Sequence, residues 1–412
     1  MMQLLNKLYN LKRTLISDDN KVALNTINDF IPLKIHNFKS GTQCYDWVIP
    51  QKWVINKGVL KNLKGDTIIN FEDNTLHLIN YSNSYKGILD KKILLNNLHT
   101  DPHNPNAIPY RTSYYSNNWG FCLQHNKLSD LKDKEYLVDI NTEFIDDELL
   151  IGEAILKGKS KKEVILTSYY CHPNQINDGL SGVDLLVKIY NKMKSMDLKY
   201  TYRFFFWPET IGAITALSQK LINPNKVEYA MVATTVGKGE PHYKKTFLNN
   251  HSLDNIISNL VTNQRPYSPT GSDERQFSSS GIRIPTGVLT TIPYEEFPEY
   301  HTSQDNLNFI SEETINKMVD LYMKIILEYE KYPKYKVNVK GCEPFLSKYN
   351  LYREIGTPGN SENDTLRNWV LHYCDGTKNI KDISKLINIK EDIILKQINK
   401  LKNKKVIYED FC

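Results

Sequence analysis

From residue 143 to residue 330, short apolar runs alternate with stretches of helical spacing. Leu149-Leu-Ile-Gly-Glu-Ala-Ile-Leu156, Val164-Ile-Leu-Thr-Ser-Tyr-Tyr170, Tyr202-Arg-Phe-Phe-Phe-Trp207 and Tyr229-Ala-Met-Val-Ala-Thr-Thr-Val236 read as strands, being short and rich in β-branched or aromatic residues. Between and after them, Gly182 to about Met196, the segment following Gly212, and Glu312 to about Tyr329 repeat apolar side chains at helical intervals. That alternation predicts βαβ units and an α/β fold with a mostly parallel sheet flanked by helices.

Three regions depart from this pattern. In residues 1 to about 40, Leu4, Leu5, Leu8 and Leu11 recur at helical spacing, and the segment reads as helices. From residue 45 to residue 140, runs such as Val54-Ile-Asn, Thr67-Ile-Ile-Asn-Phe71 and Thr75-Leu-His-Leu-Ile79 are separated by Gly, Asn and Pro, which predicts an inserted β-rich module. Its late segment, Pro109 to Cys122, carries several aromatics and suits either a packed hairpin core or a wall over a site. Past Tyr332, a capped helix from Asp364, a turn at Asp375-Gly376, helices marked by Ile380, Ile383 and Leu386 and by Ile394, Ile398 and Leu401, and a strand at Val406-Ile-Tyr408 resemble a winged helix. The expected division is an α/β domain from residues 1–44 and 141–332, the module at 45–140, and a winged helix-turn-helix-like domain at 338–412.

Composition narrows the function. A chain of 412 residues buries a large core, and a net charge of +5 is modest for that size. Lysine and asparagine are spread throughout, so the charge does not outline a nucleic-acid footprint. The third C-terminal helix offers Lys396, Lys400 and Lys402, but Glu391 and Asp392 open it where a DNA reader presents cations, so nucleic acid is the disfavoured partner. No window is apolar enough for a membrane span, and the amphipathic start lacks a cleavage site, so no membrane role is expected. Six scattered cysteines without a Cys-x-x-Cys pair fit a cytoplasmic protein. Cys171 reads as a small apolar filler beside its strand.

The candidate chemistry lies where predicted strands stop. His172 follows the Val164 strand, with Asp178 six residues on; Glu209 follows the Tyr202 strand; His301 and Asp305 sit in a loop before the Glu312 helix. Ligands of open α/β sheets collect at the carboxyl ends of strands. Imidazoles and carboxylates there are the inventory of a hydrolytic metal site, with a free carboxylate as base.

These segments resemble the co-catalytic zinc aminopeptidase superfamily, which includes leucyl aminopeptidases, glutamate carboxypeptidase and the glutaminyl cyclases. The resemblance rests on Gly271-Ser-Asp273-Glu-Arg-Gln-Phe277, then Gly281-Ile-Arg-Ile-Pro285, then Tyr300-His301-Thr302 and Asp305. More narrowly, Pro109-Tyr-Arg-Thr-Ser-Tyr-Tyr115, Trp119-Gly-Phe-Cys122, Cys171-His-Pro173 and Pro208-Glu-Thr-Ile-Gly212 are similar to bacterial aminopeptidase-like proteins that accompany polysaccharide-biosynthesis genes. The resemblance implies a zinc exopeptidase-like fold, with His172 as a terminal metal ligand, Asp178 as the bridging carboxylate and His301 as a ligand of a second metal. It makes Asp273 a residue steadying the reacting groups; Arg275 is a candidate fork for a substrate carboxylate, and Tyr300 either donates to an oxyanion or only packs.

The chain departs from the superfamily in three places. Glu-Glu-x-Gly becomes Glu209-Thr210-Ile-Gly212, so Glu209 reads as the general base and Thr210 as a lost ligand; Glu209 as a cyclase-like ligand stays open. Thr234 and Thr235 stand where another carboxylate ligand belongs, and Pro173-Asn174 replaces the usual x-Asp. One zinc is therefore expected firmly, and a second is left open. The function expected is a zinc-dependent amide hydrolase or aminopeptidase acting on a small or short-peptide aminoacyl or N-acyl substrate, linked to polysaccharide biosynthesis. The alternatives are a glutaminyl-cyclase-like acyl transferase and a non-catalytic scaffold that works through its winged helix. Self-association is left open.

Overall fold

The computed structural model describes residues 2–114, 116–294, 296–351 and 362–409. Tyr115, at the end of the aromatic segment quoted above, and Cys412 lie outside them, as do parts of the 338–412 segment. An eight-stranded sheet runs in the order Lys34–Lys39, Glu148–Leu156, Thr201–Trp207, Glu163–Tyr169, Val227–Val232, Thr286–Thr290, His242–Lys244, Asn263–Arg265. The four strands from Thr201–Trp207 to Thr286–Thr290 are mutually parallel, and antiparallel pairings flank them. The sheet is thus mixed, with a parallel centre.

Alternation along one strand shows how the sheet is covered on both faces. Tyr202, Phe204 and Phe206 join the core under helices Gln3–Tyr9, Asp18–Asn28, Leu180–Met193 and Glu312–Lys331. Phe205 and Trp207 point to the other face, where Ala213 and Ile214 of helix Ile211–Ser218 meet Trp53, Leu60, Tyr136 and Val138. These last four belong to an antiparallel sheet ordered Thr67–Asn70, Lys52–Asn62, Glu135–Ile145, Tyr85–Asp90. The β-rich segment therefore shares its core with the large sheet.

Two expectations are corrected. Residues 1–40 are not helical throughout: Lys34–Lys39 is an edge strand, because Pro32 blocks helix continuation and the chain then pairs with Glu148–Leu156. Thr75-Leu-His-Leu-Ile is no strand; Thr75–His77 is a single 3-10 turn whose start is capped by Asn74, which accepts from Leu76 N at 2.9 Å.

Helices Glu362–Tyr373, Ile380–Ile387 and Glu391–Asn403 pack with strands Lys334–Val337, Asp375–Asn379 and Ile407–Glu409 around Val370, Ile383, Ile394 and Ile398, a core of their own. Asp382, inside the capping box of the second of these helices, also accepts from Ser252 Oγ and from Asn255 Nδ2 at 2.8 Å, tying this unit to the α/β core.

Candidate metal centre

The loop after strand Glu163–Tyr169 carries His172 and Asp178 before turning into helix Leu180–Met193. Its exit needs glycine twice. Gly179 has φ +100°, and a Cβ on Gly182 would stand 1.9 Å from the Ala233 carbonyl oxygen. Asp305 fixes the loop from the other side: Oδ1 accepts from Asn177 N at 2.8 Å and Oδ2 from Asp178 N at 2.9 Å. Arg13, fully buried, donates to the carbonyl oxygens of Leu8, Tyr170 and Gln175, so a cation from the N-terminal segment grips both ends of the stretch around His172.

His301, itself at φ +52°, arrives on the loop before helix Glu312–Lys331. Its carbonyl accepts from Tyr110 N at 2.7 Å, and Pro109 bridges Thr302, so the aromatic segment is laid directly against this loop. His172, Asp178 and His301 converge, with one ligand atom from each lying within 4.8 Å of the others. Asp178 Oδ2 is 3.0 Å from His301 Nε2, yet it is buried without a well-aligned hydrogen bond. An orphaned carboxylate oxygen is costly in a protein interior unless something else binds it. Burial pushes the His172 imidazole down to about 4, which keeps it neutral and able to ligate. Burial raises Asp178, but His172, His301 and the Tyr169 hydroxyl outweigh it and hold the carboxylate at about 2. Two imidazoles, that of His172 held neutral, and an ionised carboxylate with a free oxygen are a donor set that fits a divalent metal such as zinc.

Glu209 stands beside this trio, its Oε2 3.6 Å from His172 Nε2 and a quarter of its side chain reaching solvent. Ser272 donates to its Oε1 at 2.5 Å. Burial first, then the neighbouring Asp178 and Asp273 carboxylates, raise Glu209 well above the ordinary range. Thr210 follows at φ 65° and ψ −69°, with Ile211 N bonded to the Glu209 carbonyl at 2.7 Å. This is a γ-turn of the rarer, strained hand, on a β-branched residue. Asp273 holds it: Oδ1 accepts from Thr210 N at 2.6 Å and Oδ2 from Trp207 Nε1 at 2.8 Å. Asp273 is itself fully buried, and these two bonds anchor the turn that carries Glu209.

A cavity of about 380 Å³ opens over the centre, walled by Trp47, Tyr110 and Tyr114, with Arg275 and Thr210 beside Glu209. Arg275 is bonded through Nε to the Ser272 carbonyl and through Nη2 to Thr210 Oγ1, both at 3.2 Å. Tyr300 stacks on the His301 ring, centroids 3.9 Å apart, rather than lining this cavity. The buried Cys171 thiol is pushed well up by burial, and its sulfur accepts from Glu209 N, which suits a filler and not a nucleophile. Arg13 and Tyr169 gave no signal in the sequence; Asp305 was visible through its loop motif, and the aromatic wall only as one of two readings.

An aminopeptidase-like α/β fold with a His, Asp and His cluster at the carboxyl ends of its strands defines the class to which this protein belongs. The chain itself belongs to the DUF4910 family, a domain of unknown function, whose profile matches residues 2–332. A winged helix-turn-helix profile matches residues 334–409. A Clostridium acetobutylicum protein, provisionally named a polysaccharide biosynthesis protein with aminopeptidase-like domain, is 37% identical over 390 residues, covering 92% of this chain and 89% of its own. A crystal structure from the same organism, provisionally described as a peptidase, is 34% identical with a TM-score of 0.78, covering 98% of this chain and 95% of that one. A zinc aminopeptidase from Bacillus subtilis shares the fold at 14% identity and a TM-score of 0.55, over 79% of this chain and 94% of that chain. No helix among the described residues is long and apolar enough to cross a membrane.

Proposed function

We propose that this chain is a metal-dependent amide hydrolase of the aminopeptidase type, with His172, Asp178 and His301 holding one zinc and Glu209 as general base. The observation that carries this reading is the orphaned Asp178 Oδ2 beside the His301 imidazole, within a His172, Asp178 and His301 cluster next to a carboxylate of raised proton affinity. When bound, the ion would polarise a carbonyl and bring water into the titration range near neutrality, about pH 7. Glu209 is placed to take a proton from water through Oε2 while Ser272 fixes Oε1, and to return it to the departing nitrogen. Arg275 supplies a cation for a substrate carboxylate or other anion. Trp47 and Tyr114 give an apolar wall for an acyl group or sugar ring. The substrate class this suggests is a small aminoacyl or N-acyl compound, and the relatives' names point toward polysaccharide precursors.

We read the winged helix as a packing or protein-contact unit, because Glu391 and Asp392 open its third helix. Four free thiols among the described cysteines are buried, which supports a reducing cytoplasmic setting. Glu209→Gln tests the central assignment: zinc content should be unchanged while turnover of an N-acyl substrate falls roughly 100-fold or more. Loss of zinc from that variant would make Glu209 a ligand and refute its role as base.

A further inference from the structure

Two observations bear on how many ions the centre holds. A carboxylate that bridges two metals most simply offers one oxygen to each. Asp178 Oδ2 faces the imidazoles, but Oδ1 already accepts from the Tyr169 hydroxyl. Tyr169 in turn accepts from Thr234 Oγ1 at 2.9 Å, and Thr234 accepts from Gly179 N at 3.1 Å. All three side chains are at most 1% exposed, so this is a dry relay in which the hydroxyl protons are accounted for. Thr234 comes just after strand Val227–Val232, at the carboxyl end of the parallel centre of the sheet.

The second observation is at Thr210. It follows Glu209 after strand Thr201–Trp207, and its hydroxyl accepts from the Arg275 guanidinium at 3.2 Å. A fixed cation thus lines the cavity with Glu209 and disfavours a second positive ion there. The ligand count agrees: two imidazoles and one carboxylate make a complete protein set for one divalent ion with a position left open.

We propose that the centre is built for one divalent ion, with the Tyr169 hydroxyl, backed by Thr234, taking the coordination on Asp178 that a second ion would use. Tyr169 is then a positioning residue: it fixes the rotation of the carboxylate so that Oδ2 is presented to the metal. This rests on the metal reading of the site given above.

The test is zinc stoichiometry by equilibrium dialysis of the full chain against zinc chloride, followed by elemental analysis. The wild type should saturate at one zinc per chain. Tyr169→Phe should still hold one, with affinity weakened roughly 10-fold, as for loss of a hydrogen bond that orients a ligand. Tyr169→Phe combined with Thr234→Asp should rise to two. If that pair does not fold, the wild-type stoichiometry and the Tyr169→Phe affinity decide the matter. Two zinc ions in the wild type, or an unchanged affinity in Tyr169→Phe, would overturn this inference and leave the hydrolase reading standing. A chain that binds no zinc at all would overturn both.

Discussion

The α/β core and the winged helix solve their polar groups in opposite ways. Around the metal centre the chain tolerates what a stable fold normally avoids. Asn174, Thr210, Thr235 and His301 all have positive φ, Asp178 Oδ2 is orphaned, and Glu209, Asp178 and Asp273 crowd together. In the winged helix, positive φ among the described non-glycine residues falls on Asn350, Asn388 and Lys405, each just past a helical turn. Its charges pair with neighbours, Lys402 with Glu409 near the surface and Arg367 with Asp364 in the interior. There the left-handed residues serve ordinary helix ends, whereas the metal centre places them beside crowded carboxylates held by surrounding clamps. That contrast singles out the centre as the unusual region.

The largest effect should come from the converging ligands. His172→Ala or His301→Ala should strip most zinc from dialysed protein, whereas His372→Ala in the winged helix should leave the content unchanged. Full zinc occupancy in His301→Ala would break the contrast at its centre.

Next come the clamps. Arg13→Met leaves the buried Leu8, Tyr170 and Gln175 carbonyls without their donor, and stability should fall by about 3 kcal/mol. Denaturant unfolding of the zinc-free protein measures this. A change below about 0.5 kcal/mol would mean that the His172 loop does not depend on Arg13.

Acid should act on the seam between the two regions. His251 caps helix Ser252–Ser258 and is pushed down to about 3 by burial and by Lys334. Burial raises Glu228, but Lys334 outweighs it and holds it at about 2. Both groups take up protons more readily in the unfolded chain, whose ordinary values are 6.5 and 4.5. The stability these two groups contribute is therefore complete above pH 6.5 and declines as pH falls, through His251 first and Glu228 below it. Hydrogen exchange in Ser252–Ser258 and Lys334–Val337, expressed relative to the intrinsic rate at each pH, should quicken between pH 6.5 and pH 4. In His251→Asn, which keeps a capping side chain, that acceleration should be reduced; an unchanged profile would assign it to other groups.

The smallest effect belongs to the tie itself. Asp382→Ala removes a capping box and the bonds from Ser252 and Asn255, at a cost of about 1–2 kcal/mol. Zinc content should not move. A drop in zinc would show that the two regions are coupled.

The sequence alone determined the alternation of strands and helices from residue 143 onward, because a half-buried or buried strand and an amphipathic helix each leave a local period in the chain. It also marked His172, Asp178, Glu209 and His301, since ligands of such sheets follow strand ends. Even the loss of Thr210 and Thr234 as carboxylates was visible as a change of residue type. What it could not place were contacts between distant segments. Arg13 reaches Tyr170, Tyr110 lies on His301, and Tyr169 joins Asp178 to Thr234 only after the sheet has formed. Likewise Lys34–Lys39 became a strand because a free sheet edge was there to pair with it. Local period depends on neighbours a few residues away; the partner of a buried hydrogen bond depends on which elements the fold brings together, and only the tertiary structure decides that.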